Sequence, residues 1–278
     1  MKISEAIFWG KTQLLTLENP KLEAEVLLSE AMKKNRTFLF SRPENSLSES
    51  EEILYKKFVQ KRKKKFPVAY IIGYKKWNDL KISVDKSVLI PRDETEVLAQ
   101  KIIVNTSNPQ KILDLGTGSG ALAIFFQKKF PHAMIYASDS SQKALKIAKK
   151  NAKKNNISGI HFVRSNFFSN SALPRKYGLI VANLPYVPQN IPVSAEVFRE
   201  PKTAIFSGTD GLCHYKKLAL ELKKRDIQFN DLWIEFLPIQ KEKIRKIFID
   251  YQTNFQTNCS EEIFFAHIRI KNFTGIFL

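Results

Sequence analysis

Cysteine is nearly absent. Cys213 and Cys259 are the two in 278 residues, and so sparse a usage gives neither a disulfide framework nor a zinc pattern. A reducing cytoplasm is the expected setting. Long apolar runs are missing as well: no uninterrupted stretch approaches the roughly 18 residues that a membrane span requires. The opening ten residues carry Lys2 and Glu5 and form no signal-type apolar block. The four histidines, His132, His161, His214 and His267, are scattered singly, so no metal site is expected. Acids are also short, 27 against 45 lysines and arginines, for a net charge of +18. That surplus favours anionic partners, but a lysine-rich chain that merely solvates its helices shows the same total. Nucleic acid is compatible with it and not required by it.

What is present is ordinary for a globular chain, 44% hydrophobic and 26% charged, with no internal repeat. Residues 1–65 read as a small helical domain of four or five elements. Leu22, Val26, Leu27 and Leu28 fall on helical spacing after Pro20, as do Ile53, Leu54, Phe58 and Val59. Ser48-Glu-Ser-Glu51 predicts a capping box at the start of the second long helix, and Lys61-Arg62-Lys63-Lys64-Lys65 predicts its exposed end, where cations suit the dipole. Residues 66–87 predict a β-hairpin linker: Ala69–Ile72, a turn near Asn78-Asp79, then Leu80–Val84. From 88 to 278 strands and helices alternate. Strands are predicted at Lys111–Asp114, Met134–Ser138, Ile160–Val163, Leu179–Ala182 and Asp231–Glu235, with Glu262–Ile270 closing the sheet. The pattern predicts an α/β, doubly wound Rossmann-like domain.

Two motifs carry chemistry. Asp114-Leu-Gly116-Thr117-Gly118-Ser119-Gly120 follows a strand and precedes a helix. Its glycines allow a sharp turn and a close backbone approach to a ligand at a helix N-terminus. The spacing is G-x-G-x-G rather than the G-x-G-x-x-G of dinucleotide sites. With Asp114 ahead of it and Asp139 ending the next strand, it suits S-adenosyl-L-methionine: Asp139 for the ribose hydroxyls, Asp114 for the methionine ammonium. Asn166 and Phe167, just past the third strand, are candidates for the adenine edge and face, although a core Phe fits the same position. The second motif, Asn183-Leu184-Pro185-Tyr186, lies past an apolar strand. An amide nitrogen is a poor nucleophile because its lone pair is delocalised, so a site must align it and accept its N–H bonds. Asn183 supplies a side-chain oxygen, Leu184 a backbone carbonyl, Pro185 stiffness and Tyr186 a flat wall. Taken alone, the turn is equally a Pro turn with an Asx bond.

These residues, with Pro67–Gly73, Val88–Glu96, Glu200–Ala204 and Gly208–Tyr215, resemble the HemK/PrmC type of protein-(glutamine-N5) methyltransferase, over most of the chain. The resemblance implies a SAM-dependent methyltransferase domain behind an N-terminal helical substrate-recognition domain. It further implies a substrate, the glutamine of the Gly-Gly-Gln loop of class-one peptide chain release factors, and a monomer at work in translation termination. By the family's pattern Gly116–Gly120, Asp139, Phe167 and Asn183 bind the cofactor and Asn183–Tyr186 the glutamine. Leu184 replaces the family's usual proline, and Asn166 stands where Asp is usual.

Two other readings compete. An adenine-N6 methyltransferase acting on rRNA or DNA presents the same planar NH2 to such a turn, and the positive charge suits RNA. A non-catalytic translation protein could keep the fold. The N-terminal helical domain and the Pro91–Glu96 and Gly208–Tyr215 segments favour the glutamine enzyme over the adenine one, and the intact Asn183 turn argues against a non-catalytic protein.

Overall fold

Caps and apolar spacing place the first helices. The computed structural model describes residues 1–258 and 260–270. Its first unit holds Met1–Tyr74 together with Val193–Arg199. It contains α1 (Ile3–Gln13), α2 (Pro20–Met32), α3 (Arg36–Ser41), α4 (Glu49–Lys63) and α5 (Val68–Ile72). At α4 the capping box forms: Ser48 Oγ accepts the Glu51 N–H at 3.3 Å and Glu51 Oε2 accepts the Ser48 N–H at 2.8 Å. Leu14, Leu27, Leu28, Leu39, Tyr55 and Val59 form its core. The apolar spacing located the helices but not every inward side chain, since Leu22 and Ile53 are exposed.

Arg62 departs from the exposed basic end expected of α4. It is buried, ion-paired to Glu23 and to Glu196, the latter at 2.5 Å, and donates to the Phe66 carbonyl at 3.1 Å. A buried guanidinium requires such partners, and they dock the 193–199 segment on this unit. Arg199 adds a cation–π contact, 4.7 Å from the centre of the Phe66 ring.

Ala69–Ile72 is not a strand. Pro67 caps α5, and Gly73 ends it in the left-handed region at φ +85°, its N–H donating to the Ala69 carbonyl at 2.8 Å. A glycine C-cap of this kind turns a short apolar run helical. The hairpin therefore consists of β1 (Tyr74–Trp77) and β2 (Leu80–Ser83), turning at Asn78 as expected.

The second unit begins at Lys75 and resumes at Glu200. After the hairpin come α6 (Asp93–Asn105), β3 (Lys111–Leu115), α7 (Ala121–Lys129), β4 (Met134–Asp139), α8 (Gln142–Lys154), β5 (Ile160–Arg164) and β6 (Lys176–Ala182). They are followed by α9 (Cys213–Lys224), β7 (Gln228–Phe236), α10 (Lys241–Ile247), β8 (Tyr251–Thr257) and β9 (Phe264–Ile270). The sheet order is β5-β4-β3-β6-β7-β9-β8. β3 to β7 run parallel and β9 is antiparallel to both its neighbours. β9 was expected to close the sheet; it lies inside it, and β8, with no counterpart in the expected strands, takes the edge. The described residues include no helix long and apolar enough to cross a membrane.

The central strand β6 is buried on both faces, with Leu179, Ile180, Val181 and Ala182 fully inaccessible, as central strands require. Strand order reverses between β3 and β6, so a crevice opens at their C-terminal ends, where open α/β sheets bind ligands.

Buried Asn151 of α8 ties β2 to the loop in that crevice. Its Nδ2 donates to the Ser83 and Ser119 carbonyls, both at 2.9 Å, and its Oδ1 accepts the Ser83 N–H at 2.8 Å. Asn151→Ala leaves three buried backbone groups unpaired, at about 1–3 kcal/mol for each group that water cannot reach. Urea unfolding should show a loss of about 3 kcal/mol or more; a loss within error would mean that water replaces the amide.

Candidate active site

Three glycines with positive φ shape the first wall. Gly116, Gly118 and Gly120 have φ of +79°, +54° and +83°, a region other residues rarely occupy. A Cβ on Gly116 would stand 2.9 Å from Leu184 Cδ2, and one on Gly120 2.9 Å from Ala148 Cβ. Gly118 faces open space, its nearest neighbour being the Gly116 carbonyl at 3.9 Å. The Gly116 and Thr117 N–H groups donate to the Ser138 carbonyl at 2.8 and 2.9 Å, which folds the loop over β4.

Each acid of the motif holds this loop. Asp114 is buried at the end of β3, where its Oδ2 accepts the Thr117 hydroxyl at 2.6 Å and the Ala123 N–H at 3.1 Å. It thus serves as the missing cap of α7, whose N-cap Gly120 has no side chain. Burial pushes its carboxyl up to about 7 against the pull of these donors. Asp139, at the end of β4, accepts the Gly118 N–H at 3.0 Å and the Ser141 N–H at 2.8 Å; burial raises it too.

A cavity of about 500 Å³ lies above the loop, lined by Asp114, Gly116, Thr117, Gly118, Ser119, Asp139, Asn166, Phe167, Asn183, Leu184 and Pro185 among others. The volume falls within the ~300–1,000 Å³ of small-molecule and cofactor sites. Of the residues singled out in the sequence, only Gly120 and Tyr186 do not line it. Gly120 packs on α8, and Tyr186 turns its hydroxyl to Glu235 Oε1 at 2.7 Å. Phe167 is buried at φ +53°, a strained position for an aromatic residue.

Several lining residues escaped the sequence reading. His214, on α9, is stacked 6.4 Å from Phe167, and its Nδ1 lies 2.6 Å from Ser207 Oγ. Burial first, then Lys217, lowers its pKa. Lys217 Nζ sits 4.9 Å from the Phe167 ring centre and donates to Asn166 Oδ1 at 3.2 Å. His214 falls within the Gly208–Tyr215 stretch but stands out in the sequence only as one of four scattered histidines, and Lys217 gives no signal beyond its place three residues further along the same helix. Pro91, Arg92 and Thr95 reach the cavity from the start of α6, and Pro201, Thr203 and Ala204 from the loop after β6. Buried Glu200 joins the two stretches by accepting Arg92 Nη2 at 2.5 Å and the Ile90 N–H at 2.9 Å.

The Asn183 turn is held from behind. Asn183 Nδ2 donates to Thr95 Oγ1 at 2.9 Å and to Glu235 Oε2 at 3.2 Å, while Thr95 Oγ1 donates to Glu235 Oε2 at 3.0 Å. The Tyr215 hydroxyl donates to the Glu235 carbonyl and lies 3.5 Å from that of Leu184. Gln240 Nε2 donates to the Tyr186 and Asp210 carbonyls at 2.8 and 3.0 Å. Glu235 was visible only as one acid in an apolar strand.

The PrmC N-terminal domain family model matches residues 5–73, and the Methyltransferase small domain model residues 93–208. Among curated proteins, a release factor glutamine methyltransferase of Coxiella burnetii is 40% identical over 248 residues, 88% of this chain and 89% of that protein. One from Buchnera aphidicola subsp. Schizaphis graminum is 36% identical over 250 residues, 88% and 90%. A bifunctional methyltransferase of Rickettsia bellii is 33% identical across 87% of this chain, which spans 49% of that protein. Among solved structures, the hMettl16 catalytic domain in complex with MAT2A 3'UTR hairpin 1 has a TM-score of 0.55 at 15% identity, covering 84% of each chain. That last likeness is one of fold alone.

The protonation of Asp114 has a measurable signature. Because its folded pKa lies near 7 and the ordinary Asp value is about 3.9, the folded state keeps a proton that the unfolded chain releases between those values. Stability therefore falls as pH rises through that window, by up to about 4 kcal/mol from this group. Asp114→Asn keeps an acceptor and removes the titration. Urea unfolding without ligand, between about pH 4 and about pH 7, should show a smaller decline for the variant than for the wild type. Equal declines would place the folded pKa near its ordinary value.

Proposed function

The chain belongs to the family of release factor glutamine methyltransferases, and from that premise we propose that it methylates the side-chain nitrogen of the Gly-Gly-Gln glutamine in class-one peptide chain release factors, using S-adenosyl-L-methionine. The observation that carries this reading is the orientation of Asn183. With Nδ2 engaged by Thr95 and Glu235, its Oδ1 is the atom left for the cavity. An amide or amino N–H of a substrate meets an acceptor there, and in this reading the Leu184 carbonyl accepts a second. Two acceptors fix the plane of an NH2 group and draw electron density toward its nitrogen, which is the help a delocalised amide requires.

S-adenosyl-L-methionine supplies an electrophilic methyl on a sulfonium, a leaving group that needs no acid. Its fit to this chain is supported by the cavity volume, by the glycine loop whose Gly118 faces open space, and by the carboxylate of Asp139 at a strand end. In this reading Gly116, Thr117, Gly118, Ser119 and Gly120 form the cradle, Asp139 receives the ribose, and Asp114 faces the methionine end. Asn166 and Phe167 take the adenine, with His214 and Lys217 completing that wall. Asn183, Leu184, Pro185 and Tyr186 receive the glutamine. Every lining residue lies within the second unit, so one copy of the chain holds the whole cavity, and we read the protein as a monomer at work in the cytoplasm. The helical unit recognises the release factor outside the reacting loop. The +18 net charge does not redirect the reading to RNA, because similarity to glutamine methyltransferases extends over 88% of the chain.

Purified protein with methyl-labelled S-adenosyl-L-methionine should label a release factor, and should leave both its Gln→Ala loop variant and ribosomal RNA unlabelled. Label on RNA instead would transfer the assignment to an adenine methyltransferase. Asn183→Ala should lower kcat by about 10²-fold or more while calorimetry finds cofactor affinity nearly unchanged. Gly118→Val should abolish cofactor binding itself, because the added side chain fills the space the backbone approach requires.

A further inference from the structure

We propose that Glu235 is a positioning residue for methyl transfer, whose ionised carboxylate holds the Asn183 amide with Oδ1 toward the substrate. The inference rests on the glutamine methyltransferase reading above. Glu235 is 1% exposed and does not line the cavity, so it acts through its neighbours. Three donors converge on it, from Thr95 of α6 at 3.0 Å and, in the turn after β6, from Asn183 at 3.2 Å and Tyr186 at 2.7 Å.

Proton counting makes the arrangement directional. The Thr95 hydroxyl has one proton and gives it to Glu235 Oε2, so its oxygen can only accept, and what it accepts is Asn183 Nδ2 at 2.9 Å. An Asn183 amide turned by 180° would place Oδ1 against the Glu235 carboxylate, which has no proton, and could take the Thr95 proton only by removing it from Glu235. The carboxylate thereby leaves one amide orientation, with the acceptor facing the cavity. Once Glu235 is protonated that argument lapses: its own O–H can donate to Asn183 Oδ1, and the amide can then present N–H groups to a substrate that also presents N–H groups.

The groups facing Glu235 are Arg92 and Glu94 at the start of α6, Tyr186 in the turn and Tyr215 of α9. From β9 the residues in register are Phe265 and its neighbours Phe264 and Ala266, which do not titrate. Burial outweighs the donors and pushes the Glu235 carboxyl up to about 7, so the switch lies in the range an assay can cover. Tyr186 stays protonated throughout, its pKa raised by burial and by Glu235.

The test measures kcat and KM on a release factor, and cofactor affinity by calorimetry, for wild type, Glu235→Gln, Thr95→Val and Thr95→Ser. Wild-type kcat should rise as pH increases through about 7. Glu235→Gln should lower kcat by about 10²-fold, leave cofactor affinity within about threefold, and lose that rise. Thr95→Val should lower kcat in the same direction, and Thr95→Ser should restore it. The inference is overturned if Glu235→Gln keeps both its kcat and the wild-type pH profile, or loses activity only in step with cofactor binding. Should Glu235→Gln fail to fold, the Thr95 pair decides: equal kcat for the Val and Ser variants refutes the positioning role. A wild-type protein that leaves the release factor unlabelled would refute the functional reading, and this inference with it.

Discussion

A carboxylate can leave water only where other donors replace it, and that requirement organises this site twice. Asp114 collects the Thr117 hydroxyl and the Ala123 N–H, joining β3, the glycine loop and the first turn of α7. Glu235 collects donors from α6 and from the Asn183 turn while its own main-chain carbonyl takes the Tyr215 hydroxyl of α9. Segments far apart in sequence therefore share one electrostatic interest. Removing any donor exposes a buried charge to less compensation, which is why such clusters are rigid when complete.

Rigidity at these points suits a reaction that depends on alignment. The candidate residues stand just past the ends of β3 and β6, in turns held by hydrogen bonds to the buried strands behind them. Among the described residues that line the cavity, Phe167 is the non-glycine residue at positive φ. Strain of that kind persists only where its surroundings over-determine it. Here the Phe167 carbonyl accepts from Ser165 Oγ at 2.6 Å, and its ring is flanked by His214 and Lys217.

Much of this was legible in the chain, and for identifiable reasons. The glycine loop, Asp139 and the Asn183 turn were found because each signals through neighbours in sequence: a strand before, a helix after, turn residues between. The Ser48–Glu51 capping box is equally local. Glu235 was not found, because an acid in an apolar strand acquires meaning only from the donors that the fold brings to it. Arg62 was read as one more exposed cation for the same reason; Glu23 and Glu196 lie 39 and 134 residues away. Ala69–Ile72 went to the wrong class because four largely apolar residues fit a strand or a helical turn equally, and Gly73 decides the matter through its dihedral angle. β8, Tyr251–Thr257, alternates polar and apolar residues weakly, as an edge strand can.

The place of β9 bears on how the protein is made. β7 is synthesised first, yet its free edge is paired by β9 and not by β8, so it waits through α10 and β8 for a partner. At roughly 5–20 residues per second the interval from Phe236 to Ile270 is on the order of seconds, long compared with hairpin formation at about 1–10 μs. During that wait an apolar strand presents an open edge, the condition that invites intermolecular pairing. Glu235, whose register partner is Phe265, is likewise not enclosed until β9 arrives. Synthesis in this order lets the glycine loop between β3 and α7 form before the wall around Glu235 is complete.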